Sequence, residues 1–313
     1  MKTRIFIDGS EGTTGLRIHE RFANRSDVEL ISIDPELRKD VNEREKLLNS
    51  CDIAFLCLPD AAARESASLI TNPEVRVLDT STAHRTDPNW AYGFPELSAS
   101  HREAIKTGKR VAVPGCHASG FIALVYPLIT AGALSRDAAL SCFSLTGYSG
   151  GGKKMIAQYE DAERDKEFES ARVYALGQTH KHLAEMRYVC GLEHGPVFSP
   201  IIGDYYSGMI STLPLHRSML QNDTGIEEIK QIYKKHYAGE KFVRVRELPE
   251  GALLAGNELS GIDRMDICIC GNAERMTVSS VFDNLGKGAS GAAVQCMNLM
   301  LGMPEDTGLK LED

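Results

Sequence analysis

The amino-acid sequence predicts an α/β protein in which a doubly wound parallel sheet is joined to a second, α+β domain with a mixed, partly antiparallel sheet. Three observations predict this fold class. The chain has 313 residues, a length that suits two domains better than one. Its first third alternates short apolar strands with helical segments, which is typical of βα units. Its middle third contains strand-like segments with few helices between them.

The strands of the first domain are short and apolar. We expect them over residues 4–8, 28–34, 52–58, 75–78 and 111–113. The helices that alternate with them are expected over residues 14–24, 43–49 and 61–70. Because strands joined through helices pair in parallel, these segments predict one parallel sheet.

The second domain differs in its order of elements. Its strands are expected over residues 139–146, 197–202, 207–215, 241–245 and 265–269, with an amphipathic helix over 225–237. The last helix, near residues 288–301, has small residues on one side, which would let it pack closely on the first domain. The expected domains are therefore residues 1–115 with 288–313, and residues 116–287.

Charge and composition exclude several classes of protein. A formal net charge of −8 argues against a nucleic acid or a membrane surface as partner. No apolar run approaches the roughly 18 residues of a membrane span, and residues 1–4 lead directly into a strand, so we expect a cytoplasmic protein. The eight cysteines are scattered, as buried thiols of a reducing compartment are. Cys268 and Cys270 have C-x-C spacing with no second pair, so no metal site is expected.

A glycine-rich turn follows the first strand and opens the first helix, in a G-x-x-G-x-x-G pattern. Glycines there let the backbone approach a pyrophosphate, and the helix N-terminus offers N–H groups and partial positive charge to phosphates. We therefore expect a dinucleotide to bind here, with a turn that holds no ligand as the alternative. The expected contacts are Gly9, Ser10, Gly12, Thr13, Thr14 and Gly15.

The end of the second strand bears on the choice between NAD and NADP. Asp34 lies where an acid could bind a ribose 2′-hydroxyl, which favours NAD. Arg38 and Lys39 follow, and an arginine there can hold a 2′-phosphate, which favours NADP. Because of this basic pair we expect NADP, while a solvated charged turn is the alternative.

A second glycine run, residues 147–154, nearly matches the nucleotide-binding pattern G-x-x-x-x-G-K-[ST]. Lys154 stands where the magnesium-binding hydroxyl would be, so nucleotide hydrolysis is rejected. A loop that binds a smaller phosphate or a carboxylate remains open.

Cys116 follows a strand and a Pro-Gly turn and begins an apolar helix. The helix dipole and free N–H groups at such a position stabilise a thiolate, and the same N–H groups can stabilise an oxyanion. A thiol nucleophile needs an acid/base partner, and His180 and His182, followed by Glu185, are the candidates. A small buried cysteine at a tight turn is the alternative.

These segments resemble the N-acetyl-γ-glutamyl-phosphate reductase family of arginine biosynthesis, in its shorter form. The resemblance rests on residues 79–85, 92–97, 114–120, 179–182 and 284–289, in order along nearly the whole chain. Ser119 stands where the family more often has Thr, and Ala184 where longer relatives tend to have Pro. The resemblance implies a Rossmann-like NADP domain, a second domain for catalysis and subunit contacts, and a homodimer or homotetramer.

The resemblance also implies the chemistry. Cys116 would attack the γ-carbonyl of N-acetyl-γ-glutamyl phosphate, phosphate would leave, and NADPH would reduce the thioester to N-acetylglutamate 5-semialdehyde. His180 is preferred as the acid that protonates the oxyanion as the thiolate is expelled, and His182, interacting with Glu185, as a supporting residue. Further cofactor candidates are Pro59, Asn284, Lys287 and Gly288. The substrate candidates are Arg85, Ser119, Ser149, Gly150, Lys153 and Glu185.

Three other functions stay open at this point. An aspartate-semialdehyde dehydrogenase would use the same layout on a shorter substrate, although the Thr-His-Lys-His segment at residues 179–182 argues against it. A Cys/His thiol hydrolase or acyltransferase would need no nicotinamide and would leave the glycine turn empty. A cofactor-sensing regulator would have no turnover.

Overall fold

The structure, a computed structural model, describes residues 2–10, 12–23 and 25–312. The chain folds into two compact units. The first consists of Met1–Gly115 with Ala289–Leu309, and the second of Cys116–Gly288 with Lys310–Asp313. Across the described ranges, none of the helices combines the length and the apolar character that spanning a membrane requires.

The first unit is built on a six-stranded sheet in which every pair of neighbours is parallel. Its strands are β1 (Thr3–Asp8), β2 (Val28–Ile31), β3 (Ile53–Leu56), β4 (Arg76–Asp79), β5 (Ala91–Tyr92) and β6 (Arg110–Ala112). Its helices are α1 (Thr13–Phe22), α2 (Val41–Ser50), α3 (Asp60–Leu69) and α4 (Ala99–Thr107). The sequence predicted all of these except β5 and α4.

The strand order in this sheet is β2-β1-β3-β4-β6-β5. The chain therefore moves to one side of β1 to form β2 and to the other side to form β3. Such a reversal creates a crevice at the carboxyl end of the first strand, where open α/β sheets bind their ligands. The glycine-rich turn that follows β1 lies at this point.

The last helix, Gly291–Met300, belongs to the first unit, as its small residues predicted. Ala292, Ala293 and Cys296 are buried in a cluster that includes Ile5 and Val111 from the sheet. Because alanine and cysteine side chains are small, this helix can lie close to the strands.

The second unit is built on a seven-stranded mixed sheet with the order β11-β12-β13-β10-β7-β9-β8. Its strands are β7 (Ser141–Gly147), β8 (Arg172–Val173), β9 (Val197–Gly203), β10 (Met209–His216), β11 (Val243–Arg246), β12 (Met265–Gly271) and β13 (Arg275–Phe282). Its helices are α5 (Cys116–Thr130), α6 (Gly152–Glu160), α7 (Leu183–Cys190) and α8 (Ile226–His236). Parallel pairs (β7 with β9, β11 with β12) stand beside antiparallel ones, which confirms the predicted mixed sheet.

Helix α5 is buried along most of its length and packs on β10 and β13. Gly120 makes this approach possible, because a Cβ atom there would lie 2.3 Å from Ser211 Oγ. Pro127 inside the helix has no N–H to donate to the Ala123 carbonyl. Tyr237 Oη donates to that carbonyl instead, at 2.7 Å. The helix that begins at Cys116 is therefore closely packed, and the carbonyl that Pro127 leaves without its usual partner is hydrogen-bonded.

The end of the chain differs from the expected boundary. Residues 310–312 lie with the second unit instead of the first. The Lys310 N–H donates to Asp263 Oδ2 at 2.9 Å, and the Asp263 N–H donates to the Lys310 carbonyl at 2.6 Å. Arg264 adds hydrogen bonds to the Leu311 carbonyl and the Glu312 carboxylate. These paired contacts are made by single residues that carry no periodic pattern, so the sequence could not reveal them.

Candidate active site

The glycine-rich turn of the first unit is shaped by contacts that only glycine permits. Gly9 has φ +87°, and a Cβ atom there would lie 2.4 Å from the Cys57 carbonyl oxygen. A Cβ atom on Gly15 would lie 2.5 Å from the Gly9 carbonyl oxygen. Gly12 is exposed, and a Cβ atom on it would meet its nearest neighbour at 3.4 Å. The first and last glycines thus fold the turn, whereas Gly12 keeps its outer surface free of a side chain.

Helix α1 begins at Thr13 with Gly12 as N-cap, and in the described part of the chain no side chain caps it. Its first N–H groups are therefore available to a phosphate, so the turn fits the predicted dinucleotide. Ser10 and Thr14 are half-buried beside it. The predicted contact through the Thr13 side chain lies outside the described residues. Pro59, the N-cap of α3, follows β3, which pairs with β1.

In the turn after β2, Asp34 and the basic pair Arg38 and Lys39 differ in their contacts. Asp34 Oδ1 accepts a 2.9 Å hydrogen bond from the Glu36 N–H, so this carboxylate begins the turn. Arg38 and Lys39 are exposed, and neither forms an ion pair with any described residue. An unneutralised basic pair favours the predicted recognition of a 2′-phosphate.

A polar cluster follows β4, within the segment 79–85 on which the resemblance rests, and its members other than Arg85 received no role from the sequence. The Asp79 carboxylate is buried and accepts hydrogen bonds from Ser81 Oγ at 2.8 Å and His84 Nδ1 at 2.7 Å. The His84 ring stacks on Trp90, with centroids 4.0 Å apart. These contacts fix the loop that carries Arg85. A signal was available, because polar residues at the carboxyl end of a parallel strand commonly serve a site.

Arg85, predicted to bind a substrate anion, is buried within the first unit. Its Nε donates to the Val113 carbonyl at 2.9 Å, and its Nη2 donates to the Thr80 carbonyl at 2.8 Å. The guanidinium therefore ties neighbouring loops together. Its contact with substrate stays a prediction.

In the second unit, Cys116 is the first residue of α5 and is partly exposed. Gly288 lies against it, because a Cβ atom on Gly288 would be 3.0 Å from the Cys116 Cβ. Asn284 and Lys287, which precede Gly288, are buried. The Asn284 amide accepts from the Gly208 N–H and donates to Ser149 Oγ, so it braces the loop beside the candidate nucleophile.

His180 and His182 lie in the turn before α7, with ring centroids 4.8 Å apart. His180 Nδ1 accepts a 3.2 Å hydrogen bond from the His182 N–H. Burial and the neighbouring Lys181 lower the pKa of His180 to about 4. At neutral pH this imidazole is therefore uncharged and carries its proton on Nε2. Glu185, on the first turn of α7, is buried.

The neutral state of His180 favours a role different from the predicted one. An acid that protonates an intermediate needs a pKa near the working pH. Expulsion of a thiolate from a tetrahedral oxyanion re-forms the carbonyl without adding a proton to oxygen. A neutral Nε2–H that donates a hydrogen bond to the oxyanion is therefore sufficient, as in other sites that use an uncharged histidine.

His117, beside the candidate nucleophile, contacts both histidines and was not assigned a role from the sequence. Its ring centroid lies 5.3 Å from that of His180 and 5.8 Å from that of His182. Its Nε2 and the Tyr174 hydroxyl are 2.6 Å apart. The residue pair Cys116-His117 was a visible signal, whereas nothing in the sequence marked Tyr174.

The second glycine run is only partly available to a ligand. The Ser149 N–H donates to the Tyr206 carbonyl, and its hydroxyl accepts from Asn284. Gly150 and Lys153 are exposed, and Lys153 lies in the first turn of α6. Ser119 is buried within α5. Of these predicted substrate residues, Gly150 and Lys153 are the ones open to solvent, and all four assignments stay predictions.

The comparisons with known proteins agree with this geometry. Residues 9–107 match the semialdehyde dehydrogenase NAD binding domain, and residues 116–284 the semialdehyde dehydrogenase dimerisation domain. N-acetyl-gamma-glutamyl-phosphate reductase 2 of Nostoc sp. is 44% identical and covers 98% of this chain and 99% of its own length. The reductase of Sinorhizobium medicae is 46% identical over 96% of this chain and 99% of its own. The chain belongs to the N-acetyl-gamma-glutamyl-phosphate reductase family.

Solved structures share the fold at low sequence identity. Aspartate semialdehyde dehydrogenase II of Vibrio cholerae, complexed with ASA, has a TM-score of 0.72, with 13% identity over 96% of this chain and 99% of that one. The Candida albicans enzyme with NADP has a TM-score of 0.67, with 14% identity over 96% and 99%. These likenesses concern the fold alone. The predicted family and the two-domain α/β fold are confirmed, and the matched NAD binding domain disfavours an acyltransferase without nicotinamide.

The described residues contain no group of three or more metal-binding side chains that could hold a metal ion.

Proposed function

We propose that this protein reduces N-acetyl-γ-glutamyl phosphate to N-acetylglutamate 5-semialdehyde and phosphate with NADPH, in arginine biosynthesis. One observation carries the proposal: a partly exposed cysteine begins a buried helix, and His117, the next residue, lies within 6 Å of the rings of His180 and His182. This arrangement supplies a nucleophile and hydrogen-bonding groups, which acyl transfer through a thioester requires.

In the proposed reaction, Cys116 attacks the γ-carbonyl as a thiolate. The C–S bond forms, the bond between the acyl carbon and the phosphate oxygen breaks, and phosphate leaves with the electron pair. When bound, NADPH supplies the hydride that converts the thioester carbon to the aldehyde level. The first N–H groups of α5 and the His180 Nε2–H hold the developing oxyanion, and collapse of the tetrahedral carbon returns the thiolate.

The residues that would hold the pyrophosphate and the 2′-phosphate of NADPH are in the first unit. The N–H groups at the start of α1 would bind its pyrophosphate, and Gly12 leaves them accessible. Arg38 and Lys39 would bind the 2′-phosphate. Pro59, Asn284, Lys287 and Gly288 stay candidate contacts.

The reverse assay tests the proposal. Protein mixed with N-acetylglutamate 5-semialdehyde, NADP and phosphate should produce NADPH, measured by nicotinamide absorbance. Aspartate semialdehyde is the matched alternative substrate. Faster turnover of aspartate semialdehyde would contradict the proposed substrate, and the absence of NADPH formation with either aldehyde would contradict the activity.

We also propose that the chain forms a homo-oligomer, whose basic unit is a dimer, through an exposed face of the second sheet. Phe143 on β7, Val173 on β8 and Val197 on β9 are 44%, 51% and 61% exposed. The strand register places them on one face, because Phe143 pairs with Ser199 and Val173 pairs with Ile201. The matched dimerisation domain includes these strands.

Sedimentation tests the oligomer. Phe143→Asp should lower the measured mass toward that of one chain, 34.3 kDa. Leu253→Asp is the control, because Leu253 is 93% exposed and lies outside the sheet. An unchanged mass in Phe143→Asp would contradict this interface.

We place the protein in the cytoplasm, because its eight cysteines are free thiols and five of them are buried. A reducing compartment keeps such thiols reduced. A disulfide detected in the protein isolated from cells under alkylating conditions would contradict this location.

A further inference from the structure

A buried ion pair lies beside the glycine-rich turn of the first unit. Asp8, the last residue of β1 and the neighbour of Gly9, is 5% exposed, and Arg44, near the start of α2, is 7% exposed. Arg44 donates to Asp8 Oδ2 from Nε at 3.3 Å and from Nη2 at 3.1 Å. The two residues are 36 positions apart along the chain, so no local pattern in the sequence connects them.

The pair has further partners on α3. Ser66 is fully buried, and its hydroxyl donates to Asp8 Oδ2 at 2.7 Å and accepts from Arg44 Nη2. Arg44 Nη1 donates to Glu65 Oε2 at 3.1 Å, nearer the surface. The Arg44 side chain therefore joins three elements, which are α2, the end of β1 and α3.

Stability alone is a weak reason for such a pair. Taking two charges out of water is costly, and apolar side chains of similar volume often replace a buried ion pair without loss of stability. Phe6, two residues before Asp8, and Leu48, four residues after Arg44, are packed in one apolar cluster. Alternate strand residues and every fourth helix residue share a face, so an apolar pair would continue this cluster. The ion pair at its end points instead to a need for fixed geometry beside the glycine-rich turn.

Hydrogen bonds connect Arg44 to the basic turn that follows β2. The Arg44 N–H donates to the carbonyl of Asp40, the N-cap of α2, at 3.1 Å. The Asp40 N–H donates to the Leu37 carbonyl at 2.8 Å. Arg38 and Lys39 are the residues enclosed by this second hydrogen bond. Arg44 thus anchors the basic turn at its α2 end.

The other end of the basic turn is anchored to the same strand. β2 pairs with β1 as far as the register pair of Phe6 and Ile31. The chain then leaves the sheet, carries the basic pair, and returns to β1 through the contact of Arg44 with Asp8. Both ends of segment 32–43 are therefore attached to the strand that leads into the glycine-rich turn. These attachments set the distance between the two turns that are expected to hold phosphate groups.

We propose that Arg44, held by Asp8, is a positioning residue that sets the preference for NADPH over NADH by fixing the basic turn relative to the glycine-rich turn. The two nucleotides share the pyrophosphate and differ in the 2′-phosphate, so only NADPH uses both turns. Loosening the start of α2 should therefore weaken NADPH binding more than NADH binding. This inference rests on the proposed NADPH site, in which Arg38 and Lys39 hold the 2′-phosphate.

The test is a fluorescence titration of the whole chain with NADPH and with NADH, which requires no turnover. The main variant, called the paired variant, carries Asp8→Asn and Arg44→Gln together, so that neutral amides replace the ion pair and no lone charge is buried. Its ratio of NADPH to NADH affinity should fall about fivefold or more, while NADH affinity stays within about twofold of the parent.

Arg44→Lys is a second variant, for the case in which the paired variant does not fold in a thermal unfolding scan. It keeps the positive charge beside Asp8, but one ammonium group replaces the planar fork that also reaches Ser66 and Glu65. The affinity ratio should fall in the same direction as in the paired variant.

Glu65→Gln is the matched control. Glu65 contacts the same guanidinium, but its side chain is 49% exposed, and exposed ion pairs contribute little. The affinity ratio should stay that of the parent. A second control places the paired variant in a protein that already carries Arg38→Ala and Lys39→Ala. The ratio should then change little further, because both sets of substitutions act through one turn.

The outcomes separate this inference from the proposed function. If the parent binds neither nucleotide, the proposed function fails. If the parent prefers NADPH and the folded variants keep its ratio, the inference is overturned. Equal weakening of both nucleotides, an equal shift in Glu65→Gln, or a shift that persists without Arg38 and Lys39 would also overturn it. A fall in the ratio that depends on Arg38 and Lys39 supports it.

Discussion

The two sites of this protein are both built at the start of a helix, but they use different parts of the chain. In the first unit, the turn before α1 offers main-chain N–H groups. Its geometry requires that Gly9 and Gly15 lack a Cβ atom, and Gly12 leaves its outer surface without a side chain. In the second unit, the start of α5 offers one side chain, Cys116, whose surroundings come from distant segments.

This difference decides how each site tolerates change. A main-chain site depends on the path of the backbone, so the substitutions that harm it are those that add a Cβ atom. A side-chain site depends on individual functional groups, so truncating one group removes one chemical role while the backbone stays in place. The following experiments test this comparison.

The largest effect is expected for Cys116→Ser, because the thiolate is the only nucleophile of the proposed reaction. Turnover should fall by at least about 10³-fold. The thermal unfolding temperature and NADPH affinity should stay near those of the parent, because the side chain is partly exposed. NADPH consumption measures the loss of turnover, and fluorescence measures NADPH binding. If Cys116→Ser retained its activity, Cys116 would not be the nucleophile, and the second site would no longer depend on this side chain.

The next effect concerns His180. His180→Ala should slow turnover by about 10²–10³-fold, because one oxyanion donor is lost. His180→Gln should recover part of the rate, since its amide N–H can still donate. In His180→Ala, a single burst of phosphate release should remain, because phosphate is a good leaving group that needs little protonation to depart, whereas the later reduction should be slow.

The pH dependence distinguishes donation from acid catalysis. Because the pKa of His180 is about 4, its imidazole is neutral above that pH, and turnover should show no inflection from His180 between about pH 5 and pH 8. An inflection near pH 6–7 that His180→Gln abolishes would restore the role of proton donor. His182→Asn should act mainly on substrate KM, and if it instead shows the burst followed by slow reduction, the roles of the two histidines are reversed.

A smaller effect is expected at the cofactor turn. Gly9→Ala places a Cβ atom 2.4 Å from the Cys57 carbonyl in a left-handed conformation, so it should lower the free energy of unfolding by about 1–3 kcal/mol. Gly12→Ala is the matched control for folding, because its Cβ atom would have 3.4 Å of clearance. It should fold normally but bind NADPH more weakly. Urea unfolding and a binding titration measure the two variants, and normal NADPH affinity in Gly12→Ala would place the pyrophosphate elsewhere.

The smallest effect is expected for Arg38→Ala. Loss of one charge-assisted contact should reduce the preference for NADPH over NADH about tenfold, chiefly through weaker NADPH binding. Lys106→Ala, an exposed change on α4, is the control. A full preference for NADPH in Arg38→Ala would show that the 2′-phosphate is held by other residues.

The sequence predicted the site of the first unit more completely than the site of the second unit. In the first unit it predicted β1, α1 and the turn between them, because strand, glycine pattern and helix are contiguous. In the second unit it identified Cys116, His180 and His182 but assigned no role to His117 and did not find Tyr174. Its assignment of His180 to proton transfer stays a prediction, because the pKa of a side chain depends on burial that no local pattern reports.

The sequence by itself determined the alternation of strands and helices, the cofactor turn and the candidate nucleophile, because each is encoded within a few consecutive residues. Only the tertiary structure decided which groups surround Cys116 and in which protonation state. Tyr174, just after β8, and Ser144, on β7, form hydrogen bonds with His117, and Ser211 on β10 forms one with Ser144. Burial there keeps the imidazole uncharged. The physical reason is that hydrogen bonding and desolvation depend on distances in space, which separation along the chain does not reveal.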